Sequence, residues 1–213
     1  LGFPHPNYAY LSIVMIALLI LLVYKERLKC IHLGMISVIL FLFYRILFCR
    51  TGWYIWLIAL VMIGAYKLAE KLEVKKIYIR LLCIMPAMLA IFSVIMVILM
   101  AHGSAFAGWV DKCLTGRIAI ATYSCLSGLF TLLANPVRTT NEIAYIQLPY
   151  NYGWILYLIS LILYIKTMWM MAKQNEDYYV IVFAVISIYF LGETVPVSVG
   201  WNISLLLVSG LLF

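Results

Sequence analysis

The sequence predicts an all-α fold: a polytopic transmembrane helical bundle of about seven spans, with a long, partly helical loop on the extracytoplasmic side. Three observations predict it. Of 213 residues, 67% are apolar and only 11% are charged, against about 25% charged in soluble domains. The mean hydropathy is +1.09. The apolar residues also fall into separate runs near the ~20 residues that a helix needs to cross a ~30 Å hydrocarbon core. A soluble globule of this length could not hide so much apolar surface from water. A disordered chain and a disulfide-stapled secreted domain are excluded with it.

The elements follow in order. Gly2-Phe3-Pro4-His5-Pro6-Asn7 reads as a rigid turn, with Asn7 as the N-cap of the first span, residues 8–24. Lys25-Glu26-Arg27-Leu28-Lys29 joins it to a second span, 31–48. Cys49-Arg50-Thr51-Gly52 leads to a third, 53–68. The stretch from Lys67 to Arg80 connects it to a fourth, 77–100, capped by His102. Residues 101–151 are too many for a turn. Within them 109–133 is apolar but interspersed with Ser, Thr, Gly, Asp111, Lys112 and Arg117, which suits one helix lying in the interface or re-entering the protein. Asn135-Pro136 ends that helix. A fifth span covers 152–171, and a short sixth covers 178–191, extendable to Glu193. The seventh covers 197–213. The whole chain, 1–213, reads as a single transmembrane domain. Because it opens on Leu1, it is expected to be the C-terminal part of a longer protein.

The 15 Lys and Arg residues divide into two groups. Lys25, Arg27, Lys29, Lys67, Lys71, Lys75, Lys76, Arg80, Lys166 and Lys173 lie in or beside the first, third and fifth connections. By the positive-inside rule these are cytoplasmic. Arg45, Arg50, Lys112, Arg117 and Arg138 fall on the other side. The first group is mostly Lys, a hydrated point charge. The second is mostly Arg, whose planar fork binds phosphate or carboxylate oxygens bidentately. Arginines placed against the topological bias point either to an anionic ligand outside or to snorkelling and internal ion pairs.

Other chemistry is sparse. Cys30, Cys49, Cys83, Cys113 and Cys125 form no CxxC pair and no ligand spacing with His5, His32 or His102. They read as small packing residues, with no metal and no cofactor. No P-loop or dinucleotide motif is present, and the positive charge is not read as a nucleic-acid surface. Glu142 is the carboxylate best placed for general-base work or for orienting a hydroxyl. The alternative is an i,i+4 pair with Arg138. Glu193, at the outer edge of the sixth span, is a second candidate, with an outer Arg as partner. Asp111 reads as satisfied by its neighbour Lys112.

Several short motifs, in order, resemble the C-terminal half of a Wzy-type polysaccharide polymerase of the O-antigen polymerase/ligase superfamily. Leu1 to Asn7 resembles the family's GF-x-x-PN turn, and Arg50-Thr51-Gly52 its S-R-T/S-G element, with Cys49 in place of Ser. Leu114-Thr115-Gly116-Arg117 resembles L-T/S-G-R of the large external loop. Tyr145-Ile146-Gln147-Leu148 with Asn151-Tyr152-Gly153 resembles the approach to the following span, and Gly192-Glu193 the G-x/T-E near the last spans. Counted back from Gly153, the family's Asp or His falls on Glu142 and its Asn on Ile143.

The resemblance implies a GT-C-like fold in the bacterial cytoplasmic membrane. It also implies polymerisation of polyprenyl-diphosphate-linked oligosaccharide repeats outside that membrane. Arg117 would stabilise the departing diphosphate, supported by Arg50 and Arg138, and Glu142 would serve as base. Arg45, Glu193, Tyr145, His5 and Asn7 would complete the diphosphate and glycan site. Membrane lipid and a chain-length regulator protein are the implied partners. A ligase of the same superfamily, or a lipid-linked oligosaccharide flippase or other transporter, is the alternative.

Overall fold

The computed structural model describes residues 6–127 and 143–191, and all the secondary structure among them is helical. In order these are α1 (Pro6–Tyr24), a 3₁₀ turn (Lys25–Arg27), α2 (Cys30–Leu47), α3 (Arg50–Lys71) and α4 (Lys75–Ala101). They continue with α5 (Ala105–Cys113), α6 (Arg117–Ser127), α7 (Ala144–Tyr152), α8 (Trp154–Lys173) and α9 (Asp177–Tyr189). Four helices, α2, α3, α4 and α8, are long and apolar enough to cross a membrane. They coincide with the second to fifth expected spans. α1 covers the first. α9, with 13 residues, rises only about 20 Å, short of the hydrocarbon core. The seventh expected span lies outside the described residues.

Contacts divide the chain into two units. The first contains described residues 6–82 and 171–186. Its centre is α1, packed against α2 and α3. The buried residues of α3 are Gly52, Ile55, Trp56, Ala59, Met62, Ile63, Tyr66 and Ala69. They recur at steps of three and four, the period of one helical face. Gly52 lets that face come close: a Cβ there would lie 2.5 Å from Cδ1 of Tyr10. Side-chain hydrogen bonds tie the three helices together. The Tyr10 hydroxyl donates to the carbonyl of Leu40 at 3.0 Å, and Nε1 of Trp56 donates to Oγ of Ser37 at 2.9 Å. In an apolar solvent such bonds hold helices that hydrophobicity alone would not. Leu40 is the single buried residue of α2, and the rest are exposed or half-buried. That suits a helix solvated by lipid.

The second unit contains described residues 83–127, 143–170 and 187–191. Pro86 lies inside α4, where its missing N–H leaves the carbonyl of Leu82 without its helical partner. α7 is almost entirely buried, and it is pinned by the N–H of Ala144 donating to the carbonyl of Phe190 at 2.9 Å. Gly153, at φ 85° and ψ 157°, separates α7 from α8. That backbone conformation is essentially restricted to glycine.

Three expectations are corrected. Residues 109–133 do not begin as one helix: α5 ends at Cys113 and α6 starts at Arg117, because Thr115 and Gly116 both take positive φ. Asn7 is not an N-cap, since α1 already includes Pro6, whose fixed φ suits a first helical turn. The cysteines are not uniformly packing residues. Cys49 and Cys83 are buried, but Cys30 and Cys113 are exposed at helix ends.

Candidate functional site

The Leu114-Thr115-Gly116-Arg117 motif forms a tight, doubly anchored turn in the second unit. At its start, α5 closes with Gly116 N–H donating to the Asp111 carbonyl at 2.9 Å around the left-handed Thr115, φ 58°. At its end, the buried carboxylate of Asp111 caps α6. Its Oδ1 accepts from the backbone N–H of Ile118 at 2.7 Å and of Ala119 at 3.1 Å. One residue therefore supplies both its main-chain and its side-chain oxygen to the turn. Sequence reading paired Asp111 with Lys112. The structure corrects this: Lys112 is exposed, and the acid is satisfied by orphan amides and by the positive end of the α6 dipole. Arg117, half-buried, is fixed as the first residue of α6.

Arg45 and Arg50 lie in the first unit, in the last turn of α2 and at the start of α3, both exposed. Beside them is an aromatic cluster in which Tyr44 and Trp53 stack at 6.0 Å and Phe41 sits 5.5 Å from Trp53. Tyr145 is buried. Its hydroxyl donates to the Ser187 carbonyl at 3.0 Å, and burial holds its proton well above the usual tyrosine range. It therefore positions α7 and does not present a hydroxyl to solvent. Burial likewise pushes the Cys125 thiol up to about 11, so it stays protonated. His5, Arg138, Glu142 and Glu193 lie outside the described residues, as does the side chain of Asn7. Among the described residues no three His, Cys, Asp or Glu side chains gather as a metal site.

A second constellation, in the first unit, escaped sequence reading. A cavity of about 560 Å³ opens among Tyr24, Lys25, Arg27, Tyr66, Lys75 and the α8–α9 turn with Asn175, Glu176, Asp177 and Tyr178. Asp177 is buried at the start of α9. Its Oδ2 lies 2.7 Å from Nζ of Lys75 and accepts from the Tyr66 hydroxyl at 3.0 Å. Lys25 pairs with Glu176 and lies 5.1 Å from the ring centre of Tyr179. Nζ of Lys75 lies 5.3 Å from the centre of the Tyr66 ring, a cation–π distance. The signal in the sequence was the Glu176-Asp177 doublet in one of the Lys-rich connections.

No protein-family model, no curated protein and no solved structure matches the chain.

Proposed function

We propose that the chain is part of a membrane glycosyltransferase that polymerises polyprenyl-diphosphate-linked oligosaccharide repeats on the outer face of the cytoplasmic membrane. The Lys-rich connections would then be cytoplasmic and the 101–151 loop extracytoplasmic. The observation that supports this reading is the Asp111-anchored turn, whose amides at Ile118 and Ala119 directly follow Arg117, the arginine of the L-T/S-G-R resemblance. A hydroxyl of one lipid-linked repeat attacks the anomeric carbon of the growing chain. The new glycosidic C–O bond forms as the C–O bond to the diphosphate breaks, and the diphosphate leaves with the electron pair. Charge therefore grows on the diphosphate, and a guanidinium held in advance stabilises it without reorganising. Glu142 takes the proton of the attacking hydroxyl. In the first unit, Arg45 and Arg50 are anion-binding residues on the resemblance alone, and the Tyr44–Trp53 stack beside them offers apolar faces for sugar rings.

In cells expressing the full-length protein, Arg117→Ala and Glu142→Ala should each leave single lipid-linked repeats that are not joined into polymer. Loss of a preorganised donor costs about 10²–10³-fold in rate. Arg117→Lys should recover part of the activity. Polymer of normal length in both Ala variants would refute the assignment. Repeats trapped on the inner leaflet would point to a transporter, and intact polymer not moved to its acceptor would point to a ligase.

A further inference from the structure

The cavity at the Lys-rich end of the first unit holds more donors than its own carboxylates use. Three cations, Lys25, Arg27 and Lys75, line it beside two carboxylates, Glu176 and Asp177. Lys25 spends one ion pair, on Glu176, and Lys75 spends two, on Asp177 at 2.7 Å and on Glu70 at 4.0 Å; an ammonium carries three N–H donors. Arg27 makes no ion pair with a described residue. Its fork of five N–H donors stands on an exposed 3₁₀ turn at the rim. Arg27 and Lys25 stand on one 3₁₀ turn and Lys75 at the start of α4, so donors reach the hollow from two elements, an arrangement that suits a tetrahedral anion.

The rim also has an apolar side. Val23, 74% exposed, and Tyr24, 52% exposed, line the same cavity at the end of an apolar helix. The polar hollow thus opens directly beside a surface suited to acyl chains. Basic hollows at helix ends are the usual recognition sites for anionic headgroups, and a volume of about 560 Å³ is ample for one.

We propose that this cavity binds a phosphate group, as carried by an anionic phospholipid headgroup or by free phosphate. Arg27 anchors it bidentately, and Lys25 and Lys75 complete the cradle. The site involves none of the outer arginines and stands or falls apart from the polymerase reading.

The test uses the full chain in detergent micelles, with phosphatidylglycerol, phosphatidylcholine and inorganic phosphate as probes, and native mass spectrometry as the readout. Phosphatidylglycerol should bind in preference to phosphatidylcholine. Arg27→Ala should weaken that binding about tenfold, the worth of one charge-assisted contact, and Arg27→Lys should weaken it less. Arg80→Ala, which removes a cation of the same end that does not line the cavity, should bind like the parent. Displacement of the lipid by inorganic phosphate identifies phosphate itself as a sufficient ligand. Phosphatidylglycerol binding that resists phosphate identifies the lipid as the source. Unchanged binding in Arg27→Ala, equal loss in Arg80→Ala, or equal affinity for phosphatidylcholine overturns the proposal.

Discussion

Asp111 holds both sides of one turn, and its removal should be felt on both. Asp111→Ala strips the acceptor from two amides at the start of α6. It should cost about 0.5–2 kcal/mol, the range for a lost N-cap. Thermal unfolding in micelles measures this, and Asp111→Asn, which keeps one side-chain oxygen, should retain most of the stability. If the turn positions Arg117, the Ala variant should also lose polymer formation at temperatures where it is still folded. Sequence alone could not show this role. A buried acid and an exposed neighbouring lysine look like an ion pair when only adjacency is visible, whereas the true donors to it, the N–H groups of Ile118 and Ala119, lie seven and eight residues on.

Helix ends, more than helix bodies, carry the information that hydropathy misses. The expected spans matched α2, α3, α4 and α8 because long apolar windows leave few alternatives in a lipid solvent. Their ends obey a separate rule. α3, α4, α5 and α8 are each followed by a left-handed residue, Glu73, Gly103, Thr115 and Asn175. In each case the next N–H bonds back to the helix: Val74 to Ala69, Ser104 to Leu99, Gly116 to Asp111, and Glu176 to Met171. Gly103 and Asn175 are residue types that announce such an end. Glu73 and Thr115 do not, so the break between α5 and α6 went unread. Gly153 offers the sharpest test at this scale. Gly153→Ala forces a Cβ onto φ 85° and ψ 157° and should cost about 1–3 kcal/mol. Gly34→Ala and Gly64→Ala, in helices with open space around the added carbon, should gain up to about 1 kcal/mol. Thermal unfolding of the three variants side by side measures the contrast.

At the scale of the whole molecule, the sorting of cations predicts an orientation that the native cysteines can report. Cys30 and Cys113 are both exposed, the first beside the Lys-rich connection between α1 and α2, the second in the 101–151 loop. In single-cysteine variants, a membrane-impermeant maleimide should label Cys113 on intact spheroplasts and Cys30 only after permeabilisation. The reverse pattern would invert the topology and remove Arg117 from the outer face. The candidate site was legible as residue types but not as neighbourhoods. Lys25 meets Glu176 across 151 positions of sequence, and Lys75 meets Asp177. Such meetings are set by which helices pack together, which composition and spacing leave undetermined.

The bareness of α2 has a consequence for how the sequence can drift. With Leu40 its only buried residue, and Ser37 its link to Trp56, selection on most of this helix reduces to staying greasy and helical. Exchanges among Ile, Leu, Val, Met and Phe there should accumulate almost freely between lineages. The α3 stripe from Gly52 to Ala69, locked against α1, should stay nearly still. A pair of diverged copies would then look least alike along α2, although both need it equally.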